Sequence, residues 1–272
     1  MLGRHINSTE FHPPLEGGWK LFPKLTFFAG LFLLAAGCST IGSVIGAAPA
    51  ADPYKSVRPT TAGVDGVTAM NPKDFPNSWD ERNYIERVTL FATLPVMNGG
   101  DAFVGDSLTE FGHWAEAYPA LRVRNFGVPG DTTVGLQHRL QQIIDAKPSS
   151  IYLMIGTNDL EFGRTPAQTA ANVEDILDRL HAGLSTATAY VESVLPRVSK
   201  YNDQIVALNV LLKAAAEKRG LTYIDLYPNF VAGGRMDPTL SIDDLHLVGE
   251  GYARWRRLIN DYMYFRTQTK GD

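Results

Sequence analysis

Five short apolar runs, separated by helical patterns, constrain the fold of this chain more than any other feature. The runs are DAFVG, LRVRNFG, SIYLMIG, AYVESVLP and LTYIDLYP, in that order along residues 101–228. They are apolar almost throughout, as strands covered on both faces are. Between them, VGLQHRLQQIID and NDQIVALNVLLKAAAEKRG carry apolar residues at helical spacing. This alternation predicts an α/β fold, a three-layer sandwich with a five-stranded parallel sheet in the middle.

The N-terminal part of the chain has a different character. No charged residue lies between Leu25 and Ala51, and Lys24 directly precedes this stretch. Its apolar centre has the length of a signal-peptide core and ends at Cys38, the single cysteine, in the sequence LAAGC. LAAGC resembles the lipobox of bacterial lipoproteins, in which the cysteine is lipidated. We therefore predict a lipoprotein-type signal peptide over residues 1–37, export to the bacterial cell envelope, and a membrane anchor through lipid on Cys38.

Two other interpretations of the same N-terminal residues stay open at this point. An ordinary signal peptide could be cleaved at AAPAA near Ala50, or the uncharged run could remain as a spanning helix, for which about 20 apolar residues suffice. The following stretch is rich in Ala, Gly, Pro, Ser and Thr. That composition predicts a flexible tether over residues 38–75 and a folded domain over residues 76–272.

Residues that could form a functional site follow the predicted strands. Ser107 comes after the first run, Gly130 after the second and Asn158 after the third, while SIDDLHLVGEGY follows the fifth. Taken singly, Ser107 could be a helix N-cap, and Gly130 and Asn158 could be turn residues. Parallel sheets bind ligands at the carboxyl ends of their strands, however. Because these residues follow successive strands, we predict that they form one functional site.

These residue types fit nucleophilic acyl transfer. A serine hydroxyl needs an adjacent base, a group that orients the base, and donors for the oxyanion. Ser107 is the candidate nucleophile, His246 the candidate base, and Asp243, three residues before His246, the candidate orienting carboxylate. The backbone amides of Ser107 and Gly130 and the side chain of Asn158 are candidate oxyanion donors.

Three kinds of ligand are disfavoured by the sequence: nucleic acid, a metal ion and a nucleotide. The formal net charge of −4 provides no long-range attraction for nucleic acid. No His, Cys or Asp cluster has metal-ligand spacing, so we predict no metal. A nucleotide-binding function is disfavoured because Asp106 and Glu110 would stand in the first loop, where a phosphate needs amides. Asp106 and Asp244 are predicted to be cap or turn residues.

The ordered motifs resemble the SGNH hydrolase superfamily, the GDSL-type esterases and lipases. GDSL contains Ser107, GVPGDT contains Gly130, GTND contains Asn158, and DDLH contains Asp243 and His246. RNFGVPGDTT and MIGTNDL look most like the branch that contains platelet-activating-factor acetylhydrolase subunits and bacterial GDSL acylhydrolases. The resemblance spans about residues 79–265. It implies a flavodoxin-like sheet, a Ser-His-Asp triad, no cofactor and the hydrolysis of carboxylic esters.

The predicted substrate is a short-acyl ester, such as an acetyl ester on a glycan or a small molecule. The loops LEFGR and PRVSKY are short, and only NFVAGGRMDPTLSI is long enough to form a wall beside the site. Lysophospholipase or thioesterase activity is the alternative within the same chemistry. A non-catalytic exported binding module on the same fold is the alternative from another class.

Overall fold

The computed structural model describes residues 63–68 and 78–268 of the chain. The predicted signal peptide and Cys38 lie outside the described residues, as does most of the predicted tether. Within the tether segment, residues 63–68 contact the domain: the amide of Thr68 donates to the carbonyl of His138 at 2.9 Å, and Gln142 Nε2 donates to the carbonyl of Asp65 at 3.1 Å.

Helices and strands alternate through the described domain. The elements in chain order are α1 (Ser78–Thr93), β1 (Asp101–Gly105), α2 (Ser107–Glu110), α3 (Trp114–Ala117), β2 (Val123–Gly127), α4 (Thr133–Ala146), β3 (Ser150–Met154), α5 (Thr157–Glu161), α6 (Pro166–Gly183), β4 (Thr188–Glu192), α7 (Asn202–Lys218), β5 (Thr222–Ile224), β6 (Val231–Ala232), β7 (Arg235–Met236) and α8 (Gly249–Gln268).

The main sheet has five strands in the order β2-β1-β3-β4-β5, and all of its neighbouring pairs are parallel. This is the strand order of flavodoxin-like folds. The register places Gly105, at the end of β1, between Gly127 of β2 and Met154 of β3. The predicted α/β fold with five parallel strands is therefore confirmed, and the carboxyl ends of β1, β2 and β3 lie side by side.

Alternate residues of each strand face two separate hydrophobic cores. Val104 and Leu153 pack with apolar residues of α1, α4, α6 and α7 on one face of the sheet. Phe103 and Tyr152 pack with residues of α2, α3 and α8 on the other face. Because the three inner strands β1, β3 and β4 fill both cores, they are buried at nearly every position, which explains their continuous apolar runs in the sequence.

An aromatic row crosses the α8 face of the sheet. Phe103, Tyr152 and Tyr190 occupy matched positions on β1, β3 and β4. The ring centroid of Tyr152 lies 4.9 Å from that of Phe103 and 4.7 Å from that of Tyr190. Trp114 stacks on Phe103 at 4.1 Å and meets the edge of Trp255 from α8 at 5.0 Å. The row joins α3 and α8 to the strands whose ends carry the candidate site.

The hairpin after β5 was not predicted from the sequence. The long segment after β5 contains an antiparallel hairpin of β6 and β7, joined by Gly233 and Gly234 with φ of 59° and 76°. Two residues with positive φ suit a tight hairpin turn, and glycine adopts that conformation without steric cost. In the described part of the chain, no helix combines the length and apolar character needed to span a membrane.

Candidate active site

Ser107 is the first residue of α2, immediately beyond the end of β1. Asp106 takes the N-cap position, and its carboxylate accepts a hydrogen bond from the amide of Leu108 at 2.9 Å. The cap is therefore Asp106, as predicted for this residue, and the interpretation of Ser107 as the cap is wrong. The Ser107 hydroxyl is free to serve another purpose.

A hydrogen-bonded chain links the three predicted triad residues. Ser107 Oγ lies 3.0 Å from His246 Nε2, and His246 Nδ1 lies 2.7 Å from Asp243 Oδ2. The serine and the histidine are 139 positions apart in sequence, so only the fold brings them together. This arrangement allows the imidazole to accept the serine proton on one nitrogen while the carboxylate fixes the other.

Asp243 is held by several donors besides the imidazole. Its Oδ1 accepts hydrogen bonds from the amides of Leu245 and His246 at 3.0 Å and 2.7 Å, and from Ser241 Oγ at 3.1 Å. Partial burial alone would raise the pKa of the Asp243 carboxyl, but the His246 ring and these amides lower it to about 2. The carboxylate is thus ionised and fixed in orientation at neutral pH.

The backbone around His246 forms a closed turn. Ser241 and Leu247 make a β-bridge across it, and Asp244 has a φ of 62°, a conformation that Asp and Asn tolerate better than most residues. Arg235, from the β6–β7 hairpin, donates to both carboxylate oxygens of Asp244. Asp244 is therefore a turn residue, as predicted, and the hairpin braces the turn that carries the histidine.

Gly130 lies in the turn after β2, where the amide of Asp131 donates to the carbonyl of Val128 at 3.1 Å. Its φ is +75°, and a Cβ added here would lie 2.2 Å from Oδ1 of Asp80. The backbone conformation therefore favours glycine, and a larger residue would also have to displace the Asp80 carboxylate. The turn interpretation of Gly130 is confirmed, and it is compatible with a second use of the backbone amide.

Asn158 is buried in the first turn of α5, after β3. Its Nδ2 donates to the carbonyl of Asp131 at 2.8 Å, which ties α5 to the Gly130 turn. The next residue, Asp159, accepts hydrogen bonds from the amide and the hydroxyl of Thr133 at 2.9 Å and 2.6 Å. The loops that follow β2 and β3 are thus connected by three hydrogen bonds.

A buried ion pair between Arg139 and Asp131 supports the turn that contains Gly130. Arg139 of α4 is fully buried, and its Nε lies 2.8 Å from Asp131 Oδ2. Its other nitrogens donate to the carbonyls of Phe126 at 2.8 Å and Gly105 at 3.1 Å. One guanidinium thereby joins the ends of β1 and β2 to the turn that contains Gly130.

Three buried carboxyl groups, those of Asp106, Asp131 and Asp159, are sequence neighbours of the candidate site residues. Burial raises the pKa of Asp106 to about 7, although the bond from the Leu108 amide opposes it. Burial raises the pKa of Asp131 to about 6 even though Arg139 opposes it, and it also raises the pKa of Asp159. Like charges close together in a low-dielectric interior raise each other's pKa further.

The sequence interpretation missed Arg139 and its partner Asp131. A signal was available, because Arg139 falls on the apolar stripe of α4 beside Leu136, Leu140 and Ile143. A charged residue inside such a stripe indicates a buried, paired charge. Across residues 63–68 and 78–268, no group of three or more His, Cys, Asp and Glu side chains is placed to hold a metal ion.

Comparison with known proteins identifies the family of this chain. The pattern of the GDSL-like lipase/acylhydrolase family matches residues 103–254, more than half of the chain, from β1 into α8. The chain belongs to this family. It is also 32% identical over 163 residues to platelet-activating factor acetylhydrolase IB subunit alpha2 of Rattus norvegicus, a match that covers 56% of this chain and 70% of that protein.

Solved structures of GDSL-like hydrolases share the fold. A GDSL-like lipase from Bacteroides thetaiotaomicron superposes with a TM-score of 0.60 at 22% identity, over 68% of this chain and 98% of the other. An acetyl-xylooligosaccharide esterase from a Geobacillus species superposes with a TM-score of 0.51 at 20% identity, over 62% and 96%. The predicted membership of the SGNH hydrolase superfamily is confirmed, and the chain is an ester hydrolase.

Proposed function

We propose that this GDSL hydrolase is a serine esterase that works through an acyl-enzyme on Ser107. The observation that carries the proposal is the continuous hydrogen-bonded chain from Ser107 Oγ through the His246 ring to Asp243. A nucleophile, its base and the group that orients the base are the minimum set for this chemistry.

In the first half of the reaction, His246 Nε2 takes the proton of Ser107 Oγ as Oγ attacks the ester carbonyl. The carbonyl oxygen becomes an oxyanion, for which we propose the amides of Ser107 and Gly130 and the Asn158 side chain as donors. Nδ2 of Asn158 carries two hydrogens, so it can bond the Asp131 carbonyl and the oxyanion together. His246 then gives its proton to the leaving alcohol, and the C–O bond breaks.

In the second half, water replaces the alcohol. His246 takes a proton from the water, the resulting hydroxide attacks the acyl carbon, and the proton returns to Ser107 Oγ as the carboxylic acid departs. Asp243 stabilises the imidazolium that forms in each half of the reaction. Its low pKa supports this role, because an ionised carboxylate is required to balance the charge.

We propose short-acyl esters, with acetyl esters of a glycan or a small molecule first, as the substrates. Two of the similar proteins are named for acetyl ester hydrolysis, an acetylhydrolase subunit and an acetyl-xylooligosaccharide esterase. The connections beside the site are also short: α5 ends at Glu161 and α6 begins at Pro166. Little of the chain is therefore available to enclose a long acyl group.

A series of p-nitrophenyl esters tests the acyl-length proposal. Each buried methylene would contribute about 0.8 kcal/mol, so an enzyme with a long acyl groove gains kcat/KM steadily with chain length. We expect the highest kcat/KM from acetate to butyrate and a decline beyond about six carbons. A maximum at about ten carbons or longer would instead favour the lysophospholipase or thioesterase alternative.

We further propose that the protein is exported and anchored by lipid on Cys38, on the sequence evidence of the lipobox-like LAAGC. Replacing Cys38 by Ser in the full chain should move the protein from the membrane fraction to the soluble fraction or block its processing. A Cys38→Ser protein that is processed and membrane-bound like the parent would reject the anchor.

A further inference from the structure

An exposed aromatic ring stands beside the catalytic histidine. The ring centroid of Phe111 lies 5.4 Å from that of His246, with 47° between the ring planes. Phe111 is 43% exposed and belongs to neither hydrophobic core. The Phe111 side chain is large and apolar, contributes little to folding and lies beside the candidate catalytic histidine. Contact with a ligand explains such an exposed ring.

The backbone that carries Phe111 is held as firmly as the nucleophile. The Phe111 amide donates to the carbonyl of Ser107 at 2.9 Å, so both residues belong to the same helical turn. Asn125 Nδ2 of β2 lies 3.0 Å, 2.8 Å and 3.0 Å from the carbonyls of Thr109, Glu110 and Gly112, on both sides of Phe111. The ring is therefore positioned in advance of binding, which lowers the entropic cost of a contact.

The position of the ring indicates which part of an ester it contacts. In the proposed mechanism His246 Nε2 must hand its proton to the leaving oxygen, so the alcohol of the ester lies next to the histidine. Two of the three proposed oxyanion donors lie elsewhere, Gly130 in the turn after β2 and Asn158 in the first turn of α5. A group packed against the His246 ring therefore faces the leaving alcohol rather than the acyl chain or the oxyanion.

We propose that Phe111 is the floor of a leaving-group subsite that binds the flat C–H face of a pyranose ring. Charged residues flank both partners of this ring contact: Glu110, which pairs with Arg87 at 3.6 Å, precedes Phe111 in the chain, and Asp244, which pairs with Arg235 of the β6–β7 hairpin, lies in the turn that holds His246. A hydrocarbon tail would desolvate such groups without replacing their hydrogen bonds. A sugar presents an apolar face to the aromatic ring and hydroxyls to the groups around it. The subsite rests on the proposed esterase function.

The test compares two acetyl esters that differ only in the alcohol, a methyl xyloside carrying one acetyl group and ethyl acetate. We expect Phe111→Ala to lower kcat/KM for the xyloside about tenfold and to change kcat/KM for ethyl acetate by less than about twofold. Phe111→Tyr, which keeps the ring, should retain most of the xyloside activity. Val210→Ala, at a 64% exposed apolar position on α7, is the matched control and should change neither value.

A second measurement separates the leaving-group side from the acyl side. The acetyl-enzyme formed with p-nitrophenyl acetate has already lost its alcohol, so its hydrolysis rate in Phe111→Ala should equal that of the parent. Equal losses on the two esters, an undiminished rate on the xyloside, or a parent enzyme that cleaves ethyl acetate but not the xyloside would overturn the subsite. Ethyl acetate hydrolysis that disappears in Ser107→Ala would leave the esterase function standing in each of those cases.

Discussion

At the scale of single residues, Asn158 has an observed structural contact and a proposed chemical role. Its side-chain amide holds the carbonyl of Asp131 at 2.8 Å and is buried at the end of β3, beside the ends of β1 and β2. We propose that its second amide hydrogen bonds the oxygen of a carbonyl attacked by Ser107. A donor preorganised in a buried site contributes most where charge develops in the transition state.

We predict that Asn158→Ala lowers kcat about 100-fold or more with little change in KM, because the lost donor acts on the oxyanion and not on the bound ester. Steady-state kinetics on p-nitrophenyl acetate measures both values. Asn172→Ala is the matched control. The Asn172 amide bonds Thr133 Oγ1 at 2.8 Å and none of the candidate site residues, so its loss should cost far less activity. A defect of Asn158→Ala that lies wholly in KM would make Asn158 a ground-state contact.

The sequence predicted which residues meet at the site but not how they are supported. Ser107, His246 and Asp243 were named from their places on strand ends, and the fold brings their side chains within hydrogen-bonding distance. Their catalytic roles stay a prediction until they are measured. Phe111 could not have been singled out, because one aromatic residue after a short helix has no pattern that separates an exposed ring from a core ring.

At the scale of elements, hydrogen bonds from Arg139 of α4 hold the ends of β1 and β2 beside the turn that contains Gly130. Arg139 bonds Asp131, Phe126 and Gly105, so the turn that contains Gly130 and the strand that precedes Ser107 share one donor. Removing one member of a buried ion pair is costly because the other charge is left without a partner in a low-dielectric interior.

We predict that Arg139→Met lowers the free energy of unfolding by about 3–5 kcal/mol, and that Asp131→Asn in the same chain restores part of that loss. Urea denaturation of the parent, both single variants and the double variant gives the coupling energy. Arg179→Met is the control, since Arg179 lies 3.5 Å from Asp175 in an exposed pair, which should contribute little. Additive losses from the two buried substitutions would contradict the coupling.

The strands of the main sheet were predicted because each must be apolar on both faces, whereas β6 and β7 were not. Each of these two strands has only two residues, too few for any periodicity, and one of the four is the exposed Arg235. Gly233 and Gly234 in the sequence indicate a turn. The contact between Arg235 and Asp244, which holds the hairpin in place, forms only in the folded chain. Short elements that depend on tertiary contacts lie beyond what local sequence specifies.

At the scale of the whole molecule, one buried carboxyl group couples stability to pH. Glu192 ends β4 in the core, where its Oε1 accepts a hydrogen bond from Trp255 Nε1 at 2.9 Å. Burial raises the pKa of Glu192 to about 7, and the bond from Trp255 only partly offsets it. Between about pH 4 and pH 7 the folded protein therefore binds a proton that the unfolded chain releases, and stability falls as pH rises through this range.

We predict that Glu192→Gln raises the free energy of unfolding by roughly 3 kcal/mol at pH 8, because the variant keeps the acceptor for Trp255 but has no buried charge. The gain should vanish near pH 4, where Glu192 is protonated in both states. Denaturation curves at the two pH values measure it, with Glu217→Gln on the exposed side of α7 as the control. An equal gain at both pH values would show that ionisation is not the cause.

The assignment of Ser107 as the nucleophile is the claim on which the proposed mechanism depends, and covalent labelling tests it most directly. A fluorophosphonate reacts with a serine that is activated by a neighbouring base. We expect one adduct per chain, located on Ser107 by peptide mass spectrometry, absent in Ser107→Ala and formed far more slowly in His246→Ala. An adduct on another residue, or full esterase activity in Ser107→Ala, would contradict the account.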